Sequence, residues 1–124
     1  MGDNNNSARI VQRRPKPESL REFVTIVKQI RTGITEGISF KDFDEKQIKL
    51  RDAYALIDKD VLGTPIGLKL EAVVSSAKEL RERWRKHISE PEYFGWEALF
   101  QSQMSTTVRR IDDFLDEWDR LGLK

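Results

Sequence analysis

Cysteine is absent from this chain, and with it go disulfides, thiolate zinc sites and cysteine nucleophiles. A reducing compartment suits such a sequence. Histidine occurs once, at His87, which rules out a histidine metal cluster; the order His87 then Glu90 also reverses the Glu-x-x-His arrangement of carboxylate-bridged di-iron bundles. No apolar run approaches the ~20 residues that a membrane-spanning helix needs, and the Asn-rich start lacks the hydrophobic region of a secretory signal. The expectation is therefore a protein that is neither exported nor membrane-bound, nuclear or cytoplasmic in location. Met1-Gly2 opens like a myristoylation site, but Asn6 stands where Ser or Thr is required. A charge excess of either sign is missing too: 22 basic residues face 21 acidic ones, for a net charge of +1. Arg9, Arg13, Arg14 and Lys16 oppose only Asp3 in residues 1–17, so the tail holds +3 of that total and the rest of the chain sums to −2. So balanced a body is not the footprint of a protein whose main work is gripping a phosphate backbone.

What is present points to one helical domain. The 124 residues are 38% hydrophobic and 35% charged, enough for a single core that buries about 65% of the unfolded surface. Residues 1–17 are polar and interrupted by Pro15 and Pro17, and they read as a disordered basic tail. Within it, Arg13-Arg14-Pro15-Lys16 has the composition of a nuclear-import or acidic-partner patch, or of a plain solvated tail. Residues 18–124 form the domain. No strand-like alternation and no internal repeat is present, so the expected class is all-α: a bundle of four to five helices with a long last helix.

Periodicity assigns those helices. Ser19 suits the cap of a first helix carrying Leu20, Phe23, Val24, Val27 and Ile30 inward and ending near Gly33, and a linker follows between Gly33 and Gly37. Asp42 with Glu45 resembles a capping box opening a second helix, with Phe43, Leu50, Tyr54, Ile57 and Val61 on its inner face and a stop at Gly63. Pro65 fits the first turn of a third, whose face is Val73, Ala77, Leu80, Trp84 and Ile88. Beside that face Lys78, Arg81 and Arg85 make a basic stripe, and His87 falls on the opposite flank. Glu90-Pro91-Glu92 breaks the chain before a last helix from Glu92 to Leu121. Its broad apolar face runs through Trp96, Phe100, Met104, Ile111, Phe114, Leu115, Trp118 and Leu121, interrupted by Gln103 and Thr107. At roughly 45 Å it is longer than a compact bundle of this size needs, so part is expected to project or to pair with another chain.

Catalytic constellations do not emerge. Asp112, Asp113, Asp116, Glu117 and Asp119 scatter over a polar helix side among Arg109, Arg110 and Arg120, as a solvated face does. Asp42-x-Asp44 lacks the glycine and distal glutamate of a calcium loop, and Gly63 to Gly67 lacks the ending of a phosphate loop. The hydroxyls of Ser75-Ser76 and Ser105-Thr106-Thr107 have no motif-placed base, and read as helix surface or helix contact. The expectation is a protein without enzymatic activity, metal or cofactor.

The segment 62–88 carries a likeness. Leu62, Thr64, Ile66 and Gly67, then Ala77, Lys78, Leu80, Trp84, Arg85, Lys86 and Ile88, resemble the pattern of the N-terminal helical domain of transcription elongation factor S-II. Elongin A, a Mediator subunit and the integrase-binding domain of a chromatin-tethering protein share that pattern in looser form. The spacing from Gly67 to Ala77 is shorter than in that family, Arg81 stands at a usually apolar position, and residues 89–124 run past the family's usual end. The resemblance implies a nuclear protein-interaction module for transcription or chromatin that binds short disordered segments. The residues themselves suggest Lys78, Arg81, Arg85 and Lys86 as the partner-binding positions, attracting acidic segments that bear an aromatic anchor. Two other readings stand beside it. One is self-association as a homodimer through residues 92–121. The other, secondary, is nucleic-acid binding through the tail arginines and the stripe.

Overall fold

The computed structural model of the chain describes residues 17–122, with side chains from Leu20 onward. Of the expected tail, residues 1–16 with the basic Arg9 to Lys16 lie outside them, and Pro17 belongs to the first helix. Five helices account for nearly all of the rest: α1 (Pro17–Glu36), α2 (Phe40–Ala55), the single turn α3 (Lys59–Leu62), α4 (Pro65–Ser89) and α5 (Phe94–Leu121). No strand occurs among the described residues, so the all-α expectation holds.

The helix ends follow local chemistry, and several differ from the periodicity reading. Pro17 needs no amide proton in a first turn, so α1 starts there and Ser19 lies inside it rather than before it. Gly33 does not end α1 either. Gly37, at φ 89°, closes the helix in a left-handed cap, with the Ile38 amide donating to the Gly33 carbonyl at 2.7 Å and the Gly37 amide to that of Ile34 at 3.4 Å. A Cβ on Gly33 would meet Ile38 Cδ1 at 2.7 Å, so the missing side chain lets Ile38 fold back over the last turn. Ser39, not Asp42, caps α2: its hydroxyl accepts from the Asp42 amide at 3.1 Å. The second helix also stops earlier than expected. Leu56 and Ile57 turn back onto the carbonyls of Ala53 and Tyr54, and the chain restarts as α3, whose Val61 stays in the core.

Four long helices form a closed ring of neighbours, with α1 on α2, α2 on α4, α4 on α5 and α5 on α1, while α3 packs on α4. Inside it Leu20, Phe23, Val27, Ile30, Phe43, Leu50, Val61, Ile66, Leu70, Leu80, Ile111 and Phe114 are fully buried. At roughly 1.5–3 kcal/mol for each large side chain, this burial is the main favourable term holding the ring. Trp84 joins three helices, its ring lying 5.6 Å from Phe40, 5.4 Å from Phe43 and 5.3 Å, stacked, from Phe100. Phe23 meets Phe114 edge-on at 5.3 Å where α1 crosses α5.

Polar contacts fix the register of the seams. Between α4 and α5 the two residues that interrupt the apolar face of α5 meet Ser76: Gln103 Nε2 donates to Ser76 Oγ at 2.8 Å, and the Ser76 and Thr107 hydroxyls bond at 2.8 Å. All three are buried, so the two hydroxyls and the Gln103 amide nitrogen find their partners in one another across the seam. Arg31 Nε reaches Asp112 at 2.5 Å between α1 and α5, and Arg81 pairs with Asp44 between α2 and α4. α5 is about 42 Å long by its 28 residues, yet its buried positions run from Phe100 to Trp118 against α4 and α1. From Phe100 onward the helix is held within the bundle, whereas no residue from Phe94 to Leu99 is buried; the large apolar residues it exposes are Phe94 and Leu99 near one end and Leu121 at the other.

Candidate functional site

The expected partner-binding residues all sit on α4, and the helix begins where it does because of a tight turn. Thr64 caps it, its hydroxyl accepting from the Gly67 amide at 3.2 Å and donating to the Val61 carbonyl at 2.5 Å, with Pro65 in the first turn. Gly67 allows α3 to lie against that turn, since a Cβ there would fall 2.0 Å from the Val61 carbonyl oxygen and 2.7 Å from Leu62 Cα.

From that start the basic residues divide between two flanks of α4. Phe40 and Phe43 against Trp84, followed by Asp44 against Arg81, set α2 and α4 antiparallel. One turn further along the same register brings Ile48 of α2, 40% exposed, level with the Lys78 turn of α4. Lys78 is exposed and makes no ion pair among the described residues. Arg85 is exposed and only loosely held, 3.8 Å from Glu82. Arg81, by contrast, is a structural residue: its guanidinium is half-buried, bonded to Asp44 and 3.7 Å from Glu82. It lends its charge to the seam while its Nε is committed to Asp44.

Lys86, the fourth expected partner-binding residue, lies apart from the stripe. One residue past Arg85 it turns about 100° around the helix, onto the flank facing α5. There its ammonium lies 3.8 Å from Glu90 and 6.0 Å from the centre of the Trp96 ring. His87 lies on the flank opposite Lys78, against α5: its ring stacks on Phe100 at 5.1 Å, and Nδ1 is buried without a partner among the described residues. Ile88, expected inside, is 53% exposed, because α2 begins at Phe40 opposite Trp84 and leaves the next turn of α4 overhanging. Ile88 and Ile48 thus give the α2–α4 seam two exposed apolar residues beside Lys78 and Arg85.

The loop between α4 and α5 holds what periodicity missed. Tyr93 and Phe94 are 55% and 83% exposed. Tyr93 packs edge-on against Trp96 at 5.7 Å, over a Gly95 that has no room for a side chain beneath the tyrosine ring. Trp96 Nε1 donates to Glu90 at 3.3 Å, which ties the loop to the start of α5. Glu92 and Glu97 flank the aromatic pair and are exposed. The available signal was chemical, not periodic: two adjacent aromatics within a run of three glutamates and a proline.

Shifted titrating groups lie elsewhere. A hydrogen bond to Asp112 raises the Arg31 guanidinium, and the hydrogen bond from Arg120 holds the Glu117 carboxyl below the usual carboxylate range. Among the described residues, no group of three or more His, Asp or Glu side chains converges to hold a metal ion, and no helix is long and apolar enough to cross a membrane. No family model, no curated protein and no solved structure matches the chain.

Proposed function

We propose that this domain is a non-enzymatic helical adaptor whose α2–α4 seam binds short acidic segments carrying an aromatic or aliphatic anchor. The observation that carries this reading is the exposure of Lys78 and Arg85 beside Ile48 and Ile88 on one packed helix pair. Two cations with little or no internal pairing attract a carboxylate-rich segment and set its direction, while the isoleucines supply the apolar contact that keeps it there. Arg81 contributes positive potential while holding α2 to α4 through Asp44. Transcription or chromatin regulation in the nucleus is the setting proposed, on the resemblance of Leu62 to Ile88 to the S-II pattern.

Isothermal titration with an acidic peptide bearing one phenylalanine tests the reading. The parent domain is expected to bind in the micromolar range and to weaken as salt rises. A Lys78→Glu, Arg85→Glu variant is expected to lose binding while keeping its helical circular dichroism. Equal binding by parent and variant, or none by either, would defeat the proposal.

A further inference from the structure

We infer that the α4–α5 loop of one copy is a ligand for the α2–α4 seam of a second copy, so that the domain forms a reciprocal dimer. This inference rests on the seam reading above and supplies it with an occupant. The seam calls for an acidic segment with an aromatic anchor, and Glu90-Pro91-Glu92-Tyr93-Phe94 has that chemistry within the same chain. Phe94 is 83% exposed at the start of α5, and Glu92 and Glu97 stand exposed on either side of it. So large an apolar side chain left in water between two carboxylates, on a domain whose own exposed cations Lys78 and Arg85 flank Ile48 and Ile88, is a complementary pair of surfaces.

The two halves cannot meet within one molecule. α4 continues as helix from Arg85 to Ser89, and the loop is then fixed over α5 by the Tyr93–Trp96 contact and the Trp96 bond to Glu90. Arg85 and Ile88 lie within a turn of the loop, at the same end of α4, so a two-fold axis beside that end lets both contacts form together. At their 55% and 83% exposure, Tyr93 and Phe94 of the two copies offer roughly 400–700 Å² of aromatic surface, and the seam surface they cover brings such a contact near the ~1,000 Å² at which specific interfaces begin. A dimer in the micromolar range is the expectation.

Sedimentation equilibrium from micromolar to millimolar protein tests it with charge reversals on each half. The seam variant Lys78→Glu, Arg85→Glu and the loop variant Glu92→Lys, Glu97→Lys are each expected to stay monomeric alone, and to form a one-to-one dimer when mixed. Phe94→Ala, which leaves every charge in place, is expected to weaken the parent dimer by about tenfold or more. A parent that remains monomeric throughout, or a Phe94→Ala variant that dimerises as the parent does, overturns the inference. A labelled peptide of residues 88–97 and an unrelated acidic phenylalanine peptide, each titrated into Phe94→Ala, separate the two levels. Binding of both supports the inference. Binding of the unrelated peptide alone overturns it and leaves the adaptor reading standing, and binding of neither removes both.

Discussion

Replacing Gly67 with alanine sets two effects against each other, and the geometry decides the sign. Alanine is favoured over glycine within a helix by about 1 kcal/mol, so local preference alone predicts a gain. The new Cβ, however, would lie 2.0 Å from the Val61 carbonyl oxygen and 2.7 and 2.8 Å from backbone atoms of Leu62. None of these is the free end of a flexible side chain, so α3 must move away from α4. Overpacking of that kind costs about 1–3 kcal/mol. The displaced carbonyl is also the one that accepts from the Thr64 amide and hydroxyl, so the cap, worth about 1 kcal/mol, weakens with it. The net expectation is a loss of about 2 kcal/mol, which at roughly 2.1 cal/mol/K per residue lowers the melting temperature by about 8 °C. Gly63→Ala is the matched control: nothing lies within 4 Å of its Cβ position and its φ is −87°, so it should be neutral or stabilise by about 0.4–1 kcal/mol. Thermal and urea unfolding followed by circular dichroism at the helix band reads both. A Gly67→Ala protein as stable as the parent would refute the close approach of α3 to α4.

Other consequences are equally direct. Trp84→Ala removes the ring that touches Phe40, Phe43 and Phe100, and urea denaturation should show a loss of about 3–5 kcal/mol, among the largest for any single change in the core. Arg81→Ala should cost about 1 kcal/mol because it strips Asp44 of its half-buried partner, whereas Lys78→Ala should stay within about 0.5 kcal/mol; peptide binding should rank the two in the reverse order. Thr107→Val should cost about 1 kcal/mol, and a double-mutant cycle with Ser76→Ala should show a coupling that distant pairs lack. The Glu117 carboxyl should titrate below its ordinary value by NMR and return toward it in Arg120→Ala. Because its folded pKa is depressed, the pair's contribution is present above the ordinary carboxylate pKa and is lost as pH falls through the folded one.

Much of the bundle was legible in the sequence because its apolar residues recur with helical spacing where they are buried. Leu20, Phe23, Val27 and Ile30 are inside as the period requires, as are Val73, Ala77, Leu80 and Trp84. Period also describes a helix as if neither it nor its partner ever ended. Ile88 is in phase with Trp84 and still exposed, since α2 starts no earlier than Phe40. Conversely, Ile57 and Val61 are buried in phase with Tyr54 although the helix breaks between them, so a continuous pattern concealed the break at Leu56 to Asp58. Gln103 and Thr107 were visible as interruptions, but only the fold reveals Ser76 as their partner across the seam. The stripe of Lys78, Arg81 and Arg85 follows from helical spacing, but the pairing of Arg81 with Asp44, the freedom of Lys78, and the placement of Lys86 beside Glu90 and Trp96 depend on contacts that spacing along one helix does not fix.

The most direct test of the adaptor reading is a two-dimensional amide NMR titration of the Phe94→Ala domain with an acidic phenylalanine peptide, carried to saturation. The perturbed amides are expected to cluster along the α2–α4 seam around Ile48, Lys78, Arg85 and Ile88, while residues on α1 and the outer side of α5 stay still. A spectrum that does not change, or perturbations centred on a different helix pair, would contradict that reading.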